Sequence, residues 1–168
     1  LQDEGVLPLV ESLRIVEACA RAAHHIHQQG VVHRDLKPEN IMLGAFNEVL
    51  VMDWGLAYST EEFSKSESIT SSTSMGGTPA YMAPEQVSGR EVDARADVWA
   101  LGVCLWEMLV GERLFREPSE MDTILAVRSR AIPAPSARRA SVSPALDAIC
   151  LRALERDPKG RWPSARAM

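Results

Sequence analysis

Cysteine is scarce and scattered. Cys19, Cys104 and Cys150 lie far apart, each within an apolar helical pattern, and no C-x-x-C pair occurs. That spacing indicates neither a disulfide framework nor a zinc site, and it suits a reducing compartment, here expected to be the cytoplasm. Long apolar runs are missing as well. None approaches the roughly 18–20 residues that a membrane-spanning helix needs. The opening residues, Leu1-Gln2-Asp3-Glu4, do not read as a secretory leader. Positive charge is not in excess either. The formal net charge is -5, so no basic field draws nucleic acid or an anionic membrane as the main partner. A G-x-G-x-x-G phosphate loop is also absent.

What is present reads as one folded unit. The chain has 168 residues, of which 46% are hydrophobic, long enough to bury about two thirds of its unfolded surface. Leu9, Leu13, Val16, Ala20, Ala23 and His27 recur at three- and four-residue steps, which predicts an amphipathic helix over 9–29 stopped by Gly30. Val31-Val32, Ile41-Met42-Leu43 and Val49 to Met52 read as short strands. Ser59 to Ser74, "STEEFSKSESITSSTS", is too polar to pack and predicts a mobile loop. "VDARADVWALGVCLWEMLVG", 92–111, predicts a helix surrounded by protein. Further helices are expected over about 119–129, over 144–154 with Ser143 as N-cap and Pro144 at the first position, and from Pro163 onward. The expected fold class is mainly α with a small β element.

Chemistry concentrates in "VVHRDLKPENIML", Val31 to Leu43. Arg34, Asp35, Lys37 and Glu39 are charged, Asn40 is an amide, and apolar pairs flank them. Phosphoryl transfer needs a carboxylate to take a hydroxyl proton, positive charge on the moving phosphoryl group, and oxygen ligands for magnesium. Asp35, Lys37 and Asn40 supply these three, and Asp53 in "VMDWGLA" supplies a second carboxylate. Magnesium prefers few protein carboxylates together with phosphate oxygens and water. Taken singly, each residue has a plain structural reading: Asp35 suits a turn, Asn40 caps one, and Asp53-Trp54-Gly55 is an ordinary strand exit.

"HRDLKPEN" resembles the catalytic-loop signature of protein kinases, and "DWG" resembles their Asp-Phe-Gly motif with Trp54 for Phe. "GTPAYMAPE" (77–85), "DVWALGVCLWEML" from Asp97 and "RDPKGRW" (156–162) resemble later motifs of the same family, in the same order. The resemblance implies the large, C-terminal lobe of the kinase fold, with an activation segment over 53–85. It implies serine/threonine specificity, from Lys37-Pro38-Glu39, and the wording is similar to bacterial kinases of the Hanks type. By the same resemblance Asp35 is the base, Lys37 neutralises the transferred phosphate, and Thr78 contacts both. Asn40 and Asp53 hold Mg2+ with ATP. His33 and Trp54 stack, Gly55 completes the metal motif, Asp97 anchors the catalytic-loop backbone, and Glu85 pairs with Arg161. The Ser/Thr run is either a linker or an activation loop whose phosphate recruits Arg34; Tyr58 stands where relatives often carry a basic residue. "RRAS", ending at Ser141, is similar to a basic-directed phosphorylation motif or is simply a solvated loop. The three helix histidines, His24, His25 and His27, are expected to be solvated or at the core edge, and the cysteines to be packing.

The small lobe that the family uses to cover the nucleotide has no counterpart here: no glycine-rich strand-loop and no V-A-I-K-like lysine strand precede the first helix. Both ends are therefore expected to be cuts within a longer protein; kinases of the Hanks type are often membrane-anchored outside this segment, and residues 1–168 alone are expected to transfer little or no phosphate. The expected partners are Ser/Thr-containing protein substrates and the N-terminal lobe of the same protein. Two other classes share parts of the pattern, a pseudokinase used as a binding scaffold and a small-molecule phosphotransferase of the kinase-like fold. The retained Asp35, Asn40 and Asp53 argue against the first, and "GTPAYMAPE" against the second.

Overall fold

Apolar residues on every side of "VWALGVCLWEML" leave that stretch no polar face to turn to water, so it becomes the centre of the molecule. The computed structural model describes residues 7–59 and 78–168. In chain order these form α1 (Leu9–His27), β1 (Val31–Val32), a 3-10 turn (Pro38–Asn40), β2 (Ile41–Leu43), β3 (Val49–Val51) and β4 (Tyr58–Ser59). A 3-10 turn (Pro79–Tyr81), α2 (Pro84–Val87), α3 (Arg95–Val110) and α4 (Glu120–Ser129) follow. Another 3-10 turn (Pro135–Ala137), α5 (Pro144–Ala153) and a last 3-10 turn (Ala165–Ala167) complete the order. The Ser/Thr-rich segment lies, from Thr60 onward, outside the described residues, as do Gly77 and the chain start. No helix among the described residues is long and apolar enough to cross a membrane.

Every residue of α3 from Ala96 to Val110 is buried. α1 packs along one side of it and α5 along another. Gly102 lets α5 approach this closely, since a Cβ there would stand 2.8 Å from the Ala153 Cβ. The helix begins at Arg95 and not at Val92, because the Asp93 carboxylate accepts the Arg95 N–H at 2.8 Å and closes the first turn. It ends on Gly111 at φ 83°, a left-handed conformation suited to glycine. α1 likewise stops two residues before the predicted 29, and Gly30 turns the chain at φ 71°.

Helix starts follow their capping residues. The Ser119 hydroxyl accepts the Asp122 N–H at 3.1 Å, and the Ser143 hydroxyl accepts the Leu146 N–H at 3.4 Å with Pro144 at the first position. The helix predicted from Pro163 is instead a single 3-10 turn over 165–167. Ser164 is extended, at φ -154° and ψ 160°, so the turn starts only after it.

The β element is two separate antiparallel ladders. β2 pairs with β3 through Ile41–Val51, Met42–Leu50 and Leu43–Val49. β1 pairs with β4 through Val31–Ser59 and Val32–Tyr58. The second pairing has no sequence signal, because strands of two residues carry no periodicity. Together the ladders hold the polar loop 33–40 between β1 and β2 while its backbone is anchored on α3.

Candidate active site

The loop after β1 is fixed from beneath by one carboxylate. Asp97, fully buried in the first turns of α3, accepts the backbone N–H of His33 on Oδ2 and that of Arg34 on Oδ1, both at 2.9 Å. Arg34 takes φ 69°, a left-handed turn that a non-glycine residue holds only when its surroundings impose it. From the other side, the Gln86 amide on α2 donates to the Arg34 carbonyl at 3.0 Å, and its oxygen accepts the Ala83 N–H at 2.9 Å. The chain between His33 and Asp35 is therefore clamped by α2 and α3 together.

His27, expected in water or at the core edge, is at the core edge, where the residue as a whole is half-buried and engages Asp97. Its ring Nε2 lies 2.7 Å from Asp97 Oδ2, with its side chain 6% exposed. It braces the same carboxylate that carries the loop. Its place on the apolar stripe of α1, four residues after Ala23, was the available signal. Gln86 offered none, since its partner is 52 positions away.

The reactive groups gather above this anchor. The Lys37 ammonium donates to Asp35 Oδ2 at 2.8 Å and to the Thr78 hydroxyl at 3.3 Å. Asn40 Nδ2 donates to the Asp35 carbonyl at 2.8 Å and to Asp35 Oδ2 at 3.1 Å. Asp35 is thus held through its Oδ2 oxygen. Thr78 was expected to contact both Asp35 and Lys37; it meets Asp35 through the lysine.

Asp53 and Asn40 are brought to neighbouring positions. The Met52 N–H donates to the Asn40 carbonyl at 2.8 Å, so the next residue, Asp53, leaves β3 beside the loop 33–40. Asp53 is exposed and stands at φ 58°, with Oδ1 accepting the Gly55 N–H at 3.3 Å. A Cβ on Gly55 would sit 3.2 Å from that oxygen. Asn40 Oδ1 and Asp53 Oδ2 are left as hard oxygen donors, the chemistry that Mg2+ accepts when phosphate and water complete its shell. Among the described residues no three His, Cys, Asp or Glu side chains cluster as a metal site.

His33 and Trp54 meet. Their ring centroids are 4.5 Å apart at 54°, and His33 Nε2 lies 3.0 Å from the Met52 carbonyl. His33 is fully buried, whereas Trp54 stays 39% exposed. Farther away, Arg161 and Glu85 form a bidentate pair with both N–O distances 2.7 Å. The remaining three Arg161 N–H groups go to the carbonyls of Glu155, Arg95 and Arg156, so all five donors are satisfied in a site where the residue is 2% exposed. Arg34 is half-buried, and the Ser/Thr segment it was expected to serve lies outside the described residues. The cysteines are packing: all three are buried, and burial pushes the Cys19 thiol up to about 11.

Comparison with known proteins shows the family. The protein kinase domain family matches residues 1–168. Serine/threonine-protein kinase PknB of Mycobacterium leprae is 40% identical over 166 residues, covering 98% of this chain and 26% of the relative. Its counterpart in Mycobacterium tuberculosis is 39% identical with the same coverage, and serine/threonine-protein kinase PksC of Streptomyces coelicolor is 37% identical over 100% of this chain and 30% of its own length. The chain thus spans about a quarter of the length of the PknB relatives it matches. Its mainly α architecture with a small β element is that of the larger lobe of the kinase fold, and with the family match over its whole length the chain belongs to the protein kinase family.

Proposed function

We propose that this chain is the large lobe of a serine/threonine protein kinase that moves the terminal phosphoryl group of ATP to protein hydroxyls. The observation that carries the reading is the linked set Asp35–Lys37–Asn40–Thr78, in which acid, cation and amide share one carboxylate oxygen. In this reading Asp35 Oδ1 orients the Ser or Thr hydroxyl and takes its proton as the oxygen–phosphorus bond forms. The Lys37 ammonium offsets negative charge on the phosphoryl oxygens, and Thr78 sits beside it where the acceptor residue enters. Asn40 and Asp53 would hold Mg2+, which supplies charge neutralisation on the phosphates.

A second body of the same protein, the nucleotide-covering lobe, completes the site in this proposal. Met42, Leu43, Phe46, Leu50, Met52 and Trp54 stand exposed on and around the β2–β3 hairpin. Exposed apolar side chains gathered on one hairpin suit a region that another part covers. Residues 1–168 alone are then expected to transfer little phosphate. The three buried thiols suit a cytoplasmic setting.

The test uses the protein with both lobes, labelled ATP, magnesium and a generic basic protein, and identifies the labelled residue. Label on serine or threonine supports the kinase reading. Nucleotide binding without transfer moves the assignment to a scaffold, and transfer to an aminoglycoside or choline but not to protein moves it to a small-molecule phosphotransferase.

A further inference from the structure

The peptide between Arg34 and Asp35 is the last backbone unit before the carboxylate proposed as base. Its carbonyl is held by a side chain to which the chemistry above gives no part. Gln86, the third residue of α2, uses both ends of its amide. Nε2 donates to the Arg34 carbonyl at 3.0 Å, and Oε1 accepts the Ala83 N–H at 2.9 Å. Ala83 is the N-cap of α2 and fully buried. Alanine has no side-chain oxygen, so only the returning half of a capping box forms here, and Gln86 supplies it.

α2 is itself rooted. Glu85, the preceding residue, pairs with Arg161 through two N–O contacts of 2.7 Å, and Arg161 also donates to the Arg95 carbonyl at 2.9 Å. Arg95 opens α3, two residues before Asp97. Asp97 returns to the loop through the N–H groups of His33 and Arg34, both at 2.9 Å. The contacts close a ring, from the loop through Gln86, Glu85, Arg161, Arg95 and Asp97 back to the loop. The Gln86 amide is therefore presented to Arg34 from a fixed position.

Asp97 alone does not settle where Asp35 points. It holds the N–H on one side of the Arg34 Cα, and Arg34 stands at φ 69°, a conformation that a non-glycine residue keeps only under constraint. Rotation about the next bond, Cα–C, would still swing the planar Arg34–Asp35 peptide and carry the Asp35 carboxylate with it. Two contacts on that peptide oppose the rotation. The Asp35 N–H donates to His33 Nδ1 at 3.3 Å, and Gln86 holds the carbonyl at 3.0 Å. The Gln86 contact is the shorter, and it comes from outside the loop. The Lys37 and Asn40 contacts to Asp35 arise within the loop.

We infer that Gln86 is a positioning residue for phosphoryl transfer: by fixing the Arg34 carbonyl it sets the Arg34–Asp35 peptide, and through it the place where the Asp35 carboxylate meets the acceptor hydroxyl. The inference rests on the kinase reading and deepens it. Gln86 acts through Asp35 and takes no proton itself. A misplacement of about 1 Å can cost about 10²-fold in rate, so this hydrogen bond is felt in the chemical step and not in binding.

The two ends of the amide let positioning be separated from capping. Gln86→Glu keeps an acceptor for the Ala83 N–H and sets an oxygen against the Arg34 carbonyl in place of the donor. Gln86→Lys keeps a donor and loses the acceptor, which leaves the buried Ala83 N–H without its partner. Gln86 is half-buried, so either charge keeps access to water. The experiment takes the two-lobed protein as wild type and both variants, with labelled ATP, magnesium and a generic basic protein. It reads the single-turnover rate, KM for the acceptor, nucleotide affinity and the thermal midpoint. Gln86→Glu is expected to slow transfer about tenfold, the weight of one neutral hydrogen bond, with KM and nucleotide affinity little changed. Gln86→Lys should transfer faster than Gln86→Glu while melting at a lower temperature. Should Gln86→Glu fail to fold, Gln86→Met removes the donor without adding charge and is expected to show the same slowing. Wild-type rates in Gln86→Glu, a loss that appears in KM alone, or rates that simply follow the thermal midpoints overturn the inference and leave Gln86 a helix cap. A wild-type protein that labels no serine or threonine overturns the kinase reading itself.

Discussion

Asp35 divides its oxygens between two tasks. Oδ2 is held by Lys37 and Asn40, so the carboxylate has one orientation, and in the proposed function Oδ1 meets the reacting hydroxyl. Asp53 differs: it is exposed, it is set by its own left-handed backbone, and its Oδ1 accepts the Gly55 N–H. Asp53→Asn removes a formal charge from the proposed metal site and leaves the loop 33–40 intact. Magnesium-dependent nucleotide binding by the two-lobed protein, followed by titration calorimetry, should weaken at least tenfold, about 1.4 kcal/mol; unchanged binding would remove Asp53 from the metal site. Glu107 makes a pH prediction. Its folded pKa of about 7 lies above its ordinary 4.5. Between those values the folded state holds the proton more tightly than the unfolded one, so this group's contribution to stability declines as pH rises from about 4.5 to 7 and stays low above that. Glu107→Gln should flatten the urea-midpoint profile across that window, by roughly 1 kcal/mol per pH unit at most. The same slope in both proteins would contradict it. At this scale the sequence is legible where chemistry and proximity coincide: Asp35, Lys37 and Asn40 are neighbours in one loop. His27 on Asp97 and Gln86 on Arg34 join residues 70 and 52 positions apart, and no single sequence records such pairs.

Among the elements, α3 sets the rest. Its burial on all sides makes it the platform for the loop through Asp97, and the shelf for α5 through Gly102. Gly102→Ala would press a methyl against Ala153 at 2.8 Å and Leu154 at 3.1 Å. Overpacking of this kind costs about 1–3 kcal/mol, measured as a lowered thermal midpoint. α2 is tied down differently, by the Glu85–Arg161 pair. Arg161→Met leaves a buried carboxylate without its partner and should destabilise by about 3–5 kcal/mol; a loss under about 1 kcal/mol would show that water reaches the site. The long elements were legible from their apolar period and their serine caps. The tail helix expected from Pro163 was not realised, because Ser164 stays extended. The β1–β4 ladder escaped notice because two residues cannot show alternation.

Over the whole molecule, the described residues make a rigid floor with an exposed apolar hairpin along one edge and a charged loop beside it. In the proposed function the floor positions Asp35 as base, Lys37 as phosphate clamp and Asn40 and Asp53 as metal ligands, while its sequence holds no glycine-rich G-x-G-x-x-G loop. The family was readable from motif order, since five motifs fall in the family's sequence across nearly the entire length. The most direct test compares the two-lobed protein with its Asp35→Asn variant, in single-turnover phosphoryl transfer from labelled ATP and in nucleotide binding. Loss of general-base help should slow transfer about 10²–10⁴-fold while nucleotide affinity stays within about twofold. Equal transfer rates in the two proteins would contradict the assignment of Asp35, and with it the account of the loop.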